Sequence, residues 1–253
     1  MDNFKFKKKY GQNFLIDENV LNNIVNNINI KDNDLIIEIG PGSGALTNKL
    51  IEKGRVLAYE IDLDTKKYLK DFNVIYDDFL KRDLEKDLKD YQYNNLYIVG
   101  NLPYYITTPI IEKIIKSKIN VKEMIFMVQK EVGERLSSLP GNKSYGYITC
   151  YLNYYYEISK LFNVSRNSFY PVPNVDSTVI KLISHSKYKV SDEKLLNNIL
   201  KKSFTHKRKT LLNNLKEYDK DVIKNILIKN KYNLSVRAEE LPLSIFIEIT
   251  DAL

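Results

Sequence analysis

Residues Leu35-Ile36-Ile37-Glu38-Ile39 form a short, branched apolar run that stops at Gly40-Pro41-Gly42-Ser43-Gly44. A run of this length bounded by turn formers reads as a strand buried on both faces, because branched side chains pack well on a pleated surface. The segments after it decide the class. Helical stretches over 45–53 and 63–70 alternate with short strands over 56–59 and 74–76, and further strands over 96–99 and 124–128 flank a helix from about 108 to 118. Neighbouring parallel strands need crossover helices, so this alternation predicts an α/β fold: a Rossmann-like, doubly wound, mostly parallel sheet. Ahead of it, Asp17 can cap a helix whose apolar positions Val20, Leu21, Ile24, Val25 and Ile28 recur at helical spacing. After about Ser184 the pattern is helical only, with apolar positions in 195–200, 211–215, 222–228 and 245–249. A small C-terminal helical domain is therefore expected, with a boundary near Ser184 to Ser191 that divides the chain into 1–185 and 186–253.

Composition narrows the partners. Lys and Arg number 39 against 32 Asp and Glu, giving a net charge of +7, and a cation near a phosphate is favoured by release of condensed counterions. Nucleic acid becomes the leading partner. The single Cys150 can form no internal disulfide and reads as a buried apolar filler, and no Cys/His cluster has zinc-ligand spacing. No apolar run approaches the ~18–20 residues that span a bilayer, and the amino terminus has no apolar signal core. The reading is a metal-free, cytoplasmic protein without a membrane segment, taken as a monomer.

In an open parallel sheet, ligands bind beyond the carboxyl ends of the strands where strand order reverses. The first such end carries Gly40 and Gly42, whose lack of a Cβ lets the backbone approach a ligand. At the end of the second strand Glu60 can accept from both hydroxyls of a ribose. The glycines run G-x-G-x-G, without the G-x-G-x-x-G form that seats a pyrophosphate on a helix amino terminus. A ligand of ribose, adenine and an amino-acid tail, S-adenosylmethionine, fits that arrangement better than a dinucleotide. Asp78, with Asp77 beside it, stands where a carboxylate could accept from the adenine amine, or merely cap the next turn.

The fourth strand ends in Gly100-Asn101-Leu102-Pro103-Tyr104, the most specific signal in the chain. The exocyclic amine of adenine is a poor nucleophile because its lone pair is delocalised into the ring. Two acceptors aimed at its N–H groups favour a tetrahedral nitrogen and free that lone pair. The side-chain oxygen of Asn101 can be one acceptor and a backbone carbonyl beside Pro103 the other, since proline removes an N–H and fixes the turn. Tyr104 offers a flat face for a flipped base, worth about 1–3 kcal/mol by stacking. His185 and His206 lie late in the chain and are expected on its surface.

These residues resemble those of the small-subunit ribosomal RNA adenine dimethyltransferases, over nearly the whole chain. Lys9-Tyr10-Gly11-Gln12-Asn13-Phe14-Leu15 is similar to the family's G-Q-N-F-L segment, which implies that Asn13 and Leu15 close over the cofactor. Gly40, Glu60, Asp78 and Asn101 fall where the family holds S-adenosylmethionine on a class I methyltransferase fold, and Asn101 to Tyr104 matches its N-L-P-Y motif. The stretch from Phe169 to Ser177 resembles F-x-P-x-P-x-V-D-S, with a rival reading as a rigid β-edge turn, and Arg237 to Leu241 resembles an R-x-E-x-L end. Asp77-Asp78-Phe79 stands where the family commonly has G-D-A, and Lys207-Arg208 where it often has paired arginines. The resemblance implies dimethylation of adenine in small-subunit ribosomal RNA during ribosome biogenesis, by a cofactor-binding domain over 1–185 and an RNA-binding domain over 186–253.

Between Lys201 and Lys216 there are six Lys or Arg and no acid, with Phe204 and His206 interleaved. Solvated helix faces normally alternate sign, so the run, and Lys207, Arg208 and Lys209 in particular, is expected to meet RNA phosphate. The same is expected of the arm over 5–9. Three alternatives remain at this level: an enzyme of the antibiotic-resistance type that methylates adenine in large-subunit RNA, a non-catalytic ribosome assembly factor, and a dehydrogenase.

Overall fold

A computed structural model describes residues 12–103 and 106–253. In chain order the elements are β1 (Phe14–Leu15), α1 (Glu18–Asn26), β2 (Leu35–Ile39), α2 (Ala45–Ile51), β3 (Arg55–Glu60), β4 (Val74–Tyr76), α3 (Leu84–Leu88), β5 (Leu96–Asn101), α4 (Thr107–Lys116), β6 (Val121–Gln129) and α5 (Lys130–Leu136). They continue with α6 (Tyr147–Tyr155), β7 (Tyr156–Val164), β8 (Phe169–Tyr170), β9 (Ser177–Ser184), α7 (Glu193–Ser203), α8 (Leu211–Asn214), α9 (Lys220–Lys229) and α10 (Leu243–Ala252). Among the described residues no helix is long and apolar enough to cross a membrane.

Seven strands form one sheet in the order β4-β3-β2-β5-β6-β9-β7. The pairs β2–β3, β3–β4, β2–β5 and β5–β6 are parallel, and β6–β9 is antiparallel. The fold is thus the α/β, doubly wound and mostly parallel arrangement expected from the alternation. The chain runs outward from β2 through β3 to β4, then restarts on the other side with β5 and β6, so strand order reverses between β2 and β5. Every residue of β2 is buried, as a strand covered on both faces requires. On one face Ile36, Val99, Ile125 and Met127 pack with Leu21, Ile24, Val25, Leu46 and Leu50 of α1 and α2. Asp17 caps α1 as expected, accepting from the main-chain N–H groups of Asn19 and Val20 at 3.0 and 3.3 Å. The stretch read as helical over 63–70 is a shorter 3-10 turn, Leu63–Lys67, capped by Asp62.

The chain divides into two compact units, the first taking residues up to Gly133 together with Ser159–Ile183 and the second Glu134–Ile158 with Ser184–Leu253. The second unit therefore draws on a segment well ahead of Ser184. Its core gathers Tyr145 and Cys150 with Leu200, Leu211, Leu227 and Phe246, so α6 packs among helices far along the chain. Cys150 is fully buried and free; burial pushes its thiol up to about 12, against the opposing pull of the Tyr145 hydroxyl, which leaves no reactive thiolate at neutral pH.

Gly100 holds the two central strands together at their carboxyl ends. A Cβ there would stand 2.8 Å from the Ile39 carbonyl oxygen and 3.0 Å from Leu102 Cδ2. The first obstacle is backbone, so β2 itself would have to move. Gly100→Ala is expected to destabilise by about 1–3 kcal/mol, as overpacking does, and a thermal melt should register about 2–4 °C for each kcal/mol lost.

Candidate active site

Register levels the strand ends. Ile39 stands opposite Tyr59 on β3 and opposite Gly100 on β5, so the next residue along each strand, Gly40, Glu60 and Asn101, comes to one height above the sheet. Glu60 pairs in turn with Tyr76, which brings Asp77 and Asp78 to the same rim. These residues line one pocket with Gln12, Asn13, Phe14, Gly42, Leu102 and Pro103, and its walls include Ile61, Phe79, Leu80, Ile106 and Ile110. The pocket lies where strand order reverses, the place such sheets bind ligands.

Its electrostatics are one-sided. The described lining contains three carboxylates, Glu60, Asp77 and Asp78, and no Lys or Arg. Glu60 is 5% exposed and accepts from the Gly42 N–H at 2.9 Å and the Asp62 N–H at 2.8 Å. Burial raises its pKa, while those two N–H groups and nearby Asp62 act in opposing senses. Glu38, deeper in β2, is fully buried and pushed up to about 8, chiefly by burial, with the Thr47 hydroxyl opposing and the Glu60 charge adding. The two aspartates part company. Asp77 accepts from the Asp78 N–H at 2.7 Å and is ion-paired with Arg82 at 3.2 Å, which holds its carboxyl below the usual range. Asp78 Oδ1 caps the next turn by accepting from the Leu80 N–H at 3.0 Å.

A strap formed by residues 12–15 crosses the strand ends. The Asn101 side-chain Nδ2 donates to the Asn13 carbonyl at 2.9 Å, which commits the amide nitrogen to the strap. Phe14 closes on the glycine turn: a Cβ on Gly42, whose φ is +57°, would meet the Phe14 ring at 2.8 Å. On its outer side the strap is paired antiparallel, Phe14 with Tyr170 and Leu15 with Phe169. The 169–177 stretch thus serves as the strap's anchor. Asp176 completes that anchor, with Oδ1 accepting from the Arg166 N–H at 3.0 Å and its carbonyl from the Lys130 N–H at 3.0 Å.

Of the residues singled out in the sequence, Asn13, Gly40, Gly42, Glu60, Asp78, Asn101, Leu102 and Pro103 meet in this pocket. Leu15 does not. Successive side chains of a strand point to opposite faces, so with Phe14 turned to Gly42, the Leu15 side chain enters the core of α1 and α2. Tyr104 and the arm over 5–9 lie outside the described residues. Lys207, Arg208 and Lys209 are exposed in the turn between α7 and α8, as is His206, whereas His185 is half-buried. The basic run is less uniform than the sequence suggested, because Lys202 is ion-paired with Glu217, just beyond its end. Gln12 and Asp62 were given no role from sequence. Gln12 Nε2 donates to Asp62 Oδ2 at 2.7 Å, a contact across 50 positions that no local pattern announces.

A carboxylate-lined pocket at the switch point of a doubly wound sheet, with an asparagine and a proline at its floor, defines a Rossmann-like, class I methyltransferase. The chain belongs to the family described as "Ribosomal RNA adenine dimethylase", whose profile matches residues 3–251, and it is an enzyme. It is 44% identical over 255 residues, 96% of this chain and 94% of the relative, to "Ribosomal RNA small subunit methyltransferase A" of Aster yellows witches'-broom phytoplasma. The protein of the same name from Streptococcus gordonii is 41% identical over 268 residues, 99% of this chain and 92% of the relative. Among solved structures, a dimethyladenosine transferase from Plasmodium falciparum superposes with TM-score 0.77 at 26% identity, covering 93% of this chain and 95% of that one. The 23S rRNA methyltransferase ErmE shares the fold, with TM-score 0.75 at 20% identity over 95% of this chain and 99% of that one.

Glu38 yields a pH test. Its folded pKa of about 8 lies above the ordinary value of 4.5, so folding takes up a proton between those values. The associated stability is complete below the unfolded pKa and is lost as pH rises through the folded one. Replacing Glu38 with Gln removes that loss. Thermal melts of Glu38→Gln and the parent from about pH 5 to about pH 9 should show the difference moving in the variant's favour as pH rises; parallel curves would refute the buried-acid assignment.

Proposed function

We propose that this protein transfers methyl groups from S-adenosylmethionine to the exocyclic amine of adenines in small-subunit ribosomal RNA, two to each base, acting as a cytoplasmic monomer during ribosome biogenesis. The observation that carries this reading is the Asn101 amide, whose nitrogen is held by the Asn13 carbonyl at 2.9 Å and whose oxygen is the atom assigned to the target amine. The small-subunit assignment is supported by the relatives at 41% and 44% identity, whose names carry it.

The pocket suits this cofactor by its donor set. Glu60, already ordered by two N–H groups, retains lone pairs for the hydroxyls of a ribose. Ile61, Phe79, Leu80, Ile106 and Ile110 provide apolar wall for an adenine ring. Asp78 is assigned the adenine amine, because Asp77 is engaged by Arg82. A lining with three carboxylates and no described cation would repel the pyrophosphate of a dinucleotide and favours a ligand bearing positive charge, which speaks against a dehydrogenase. When bound, S-adenosylmethionine supplies an electrophilic methyl group on a sulfonium.

The chain's own residues then do three things. Asn101 Oδ1 and a main-chain carbonyl accept the two N–H groups of the target amine and draw its nitrogen toward tetrahedral geometry. The Pro103 carbonyl accepts from the Ile106 N–H at 3.1 Å, so the Leu102 carbonyl is assigned the second acceptor. Tyr104 is assigned the stacking face for the flipped base. Once the nitrogen carries the new methyl it is acidic, and its proton passes to water without a dedicated base. Lys207, Arg208 and Lys209, on an exposed turn of the helical unit, are assigned phosphate contacts that position RNA without reading its sequence.

Asn101→Ala is expected to lower kcat by about 100- to 1,000-fold, the effect of removing one preorganised charge-stabilising group. The assay is mass spectrometry of dimethyladenine formed on small subunits that lack the modification. Near-parent turnover would remove the chemistry assigned here, and activity confined to naked large-subunit RNA would move the substrate to the alternative class. Replacing Lys207, Arg208 and Lys209 together with Ala should flatten the dependence of log affinity on log salt by about 0.7–0.9 for each phosphate no longer engaged. Binding titrations across a salt series read that slope, while kcat at saturating substrate should hold.

A further inference from the structure

Three consecutive strap residues are tied to three strand ends. Gln12 reaches Asp62, two residues past the end of β3; Asn13 reaches Asn101 at the end of β5; and Phe14 covers Gly42 after β2. Asp62 is the unusual member, a carboxylate with no exposed surface. Burying a carboxylate is costly unless its oxygens are satisfied. Its Oδ1 accepts from the Asp64 N–H at 3.2 Å and its Oδ2 from Gln12 at 2.7 Å. Its own N–H donates to Glu60 Oε1 at 2.8 Å, and its carbonyl accepts from the Thr65 hydroxyl at 2.7 Å. Asp62 is therefore a rigid bracket that shares a hydrogen bond with the carboxylate at the ribose position and takes another from the strap.

We infer that Asp62 is a positioning residue for methyl transfer, acting through Gln12 to seat the strap so that the Asn13 carbonyl holds the Asn101 amide with its oxygen toward the target amine. The inference rests on the role assigned to Asn101 above. Gln12 lines the pocket rim, and its contribution in this scheme is the fixed height of the Asn13 carbonyl. Without that anchor the amide of Asn101 is free to rotate, and an amine held by a misaligned acceptor reacts slowly.

Two variants and two readouts test this. In Gln12→Ala, hydrogen exchange of the Asn101 side-chain amide, followed by NMR on the full-length protein without cofactor, should accelerate about tenfold or more, and kcat on small subunits should fall by a similar factor, the scale of a mispositioned reacting group. The melting temperature should fall as well, because a buried carboxylate oxygen loses its donor, so both readouts are taken well below the melt. Gln12→Glu places two carboxylates in contact and should be worse than Gln12→Ala. Combining it with Asp62→Asn lets donor and acceptor trade places and should restore both exchange protection and kcat most of the way to the parent. Asn101 protection unchanged in Gln12→Ala, or no recovery in the exchanged pair, overturns the inference. The exchange readout is independent of activity, so a parent protein inactive on small subunits would defeat the functional assignment while leaving the latch measurable.

Discussion

The parallel ladder joining β3, β2 and β5 fixes the height of every group in the site. Because Ile39 pairs with Tyr59 on one side and Gly100 on the other, Gly40, Glu60 and Asn101 arrive level, and three loops from distant parts of the chain share one pocket. A slip of one residue in either pairing would turn each side chain of the moved strand to the opposite face. Both faces of β2 are buried, so burial alone does not choose between registers. The contact that does so is steric: Gly100 admits the Ile39 carbonyl at a distance that no residue with a Cβ would tolerate. The height of Asn101 is thus set by a glycine next to it in sequence and by a carbonyl on the neighbouring strand.

Charge distribution then selects among the ligands such a site can hold. Doubly wound sheets present glycine turns and a ribose-binding acid to dinucleotides and methyl donors alike, and geometry at the strand ends does not separate them. The described lining separates them by its sign. The helix after the glycine turn follows Gly44, whose φ is +83°, and the described lining sets no Lys or Arg near that turn to help hold a phosphate. Burial of Glu38 beneath Glu60 has an electrostatic consequence as well. The Glu60 charge adds to burial in raising Glu38, and the deeper acid responds by holding its proton near neutrality.

The sheet and the set of residues that meet at its strand ends were legible because each rests on local signals. Runs such as 35–39 and 96–99 are apolar on both faces, the glycine turn follows directly, and Asn101 to Pro103 is contiguous. The segment from 129 to 170 was not legible. The edge strand β7 alternates weakly, with polar residues exposed along much of its length, and α6 is a tyrosine-rich helix whose partners come from α7 onward. The discontinuity of the second unit has the same cause, since packing between residues 134–158 and 184–253 leaves no mark on either segment alone. The core placement of the Leu15 side chain was not legible because a motif read as a string does not reveal which of two adjacent side chains faces inward, and Asp62 was passed over because its partner lies 50 positions away.

The basic turn of the helical unit shows how a run of charge differs from a built surface. Lysines on a free helix face are spaced by the helix, but Lys207 to Lys209 lie between α7 and α8 on a turn fastened at several points. The Asn214 side chain donates to the Ser203 and His206 carbonyls at 2.8 and 3.2 Å, the Lys209 N–H returns to the His206 carbonyl at 2.9 Å, and Thr210 caps α8. Phe204, interleaved in the run, packs edge-on to Tyr145 with ring centroids 6.1 Å apart and pins the start of the turn to the core. Lys202, which could have joined the cluster, is neutralised by Glu217. The exposed cations Lys207, Arg208 and Lys209 are therefore carried on a fastened turn and not on a free helix face. Phosphate contacts carry no base information, so in the proposed reading discrimination among adenines falls to RNA shape and to the pocket at Asn101, not to this turn.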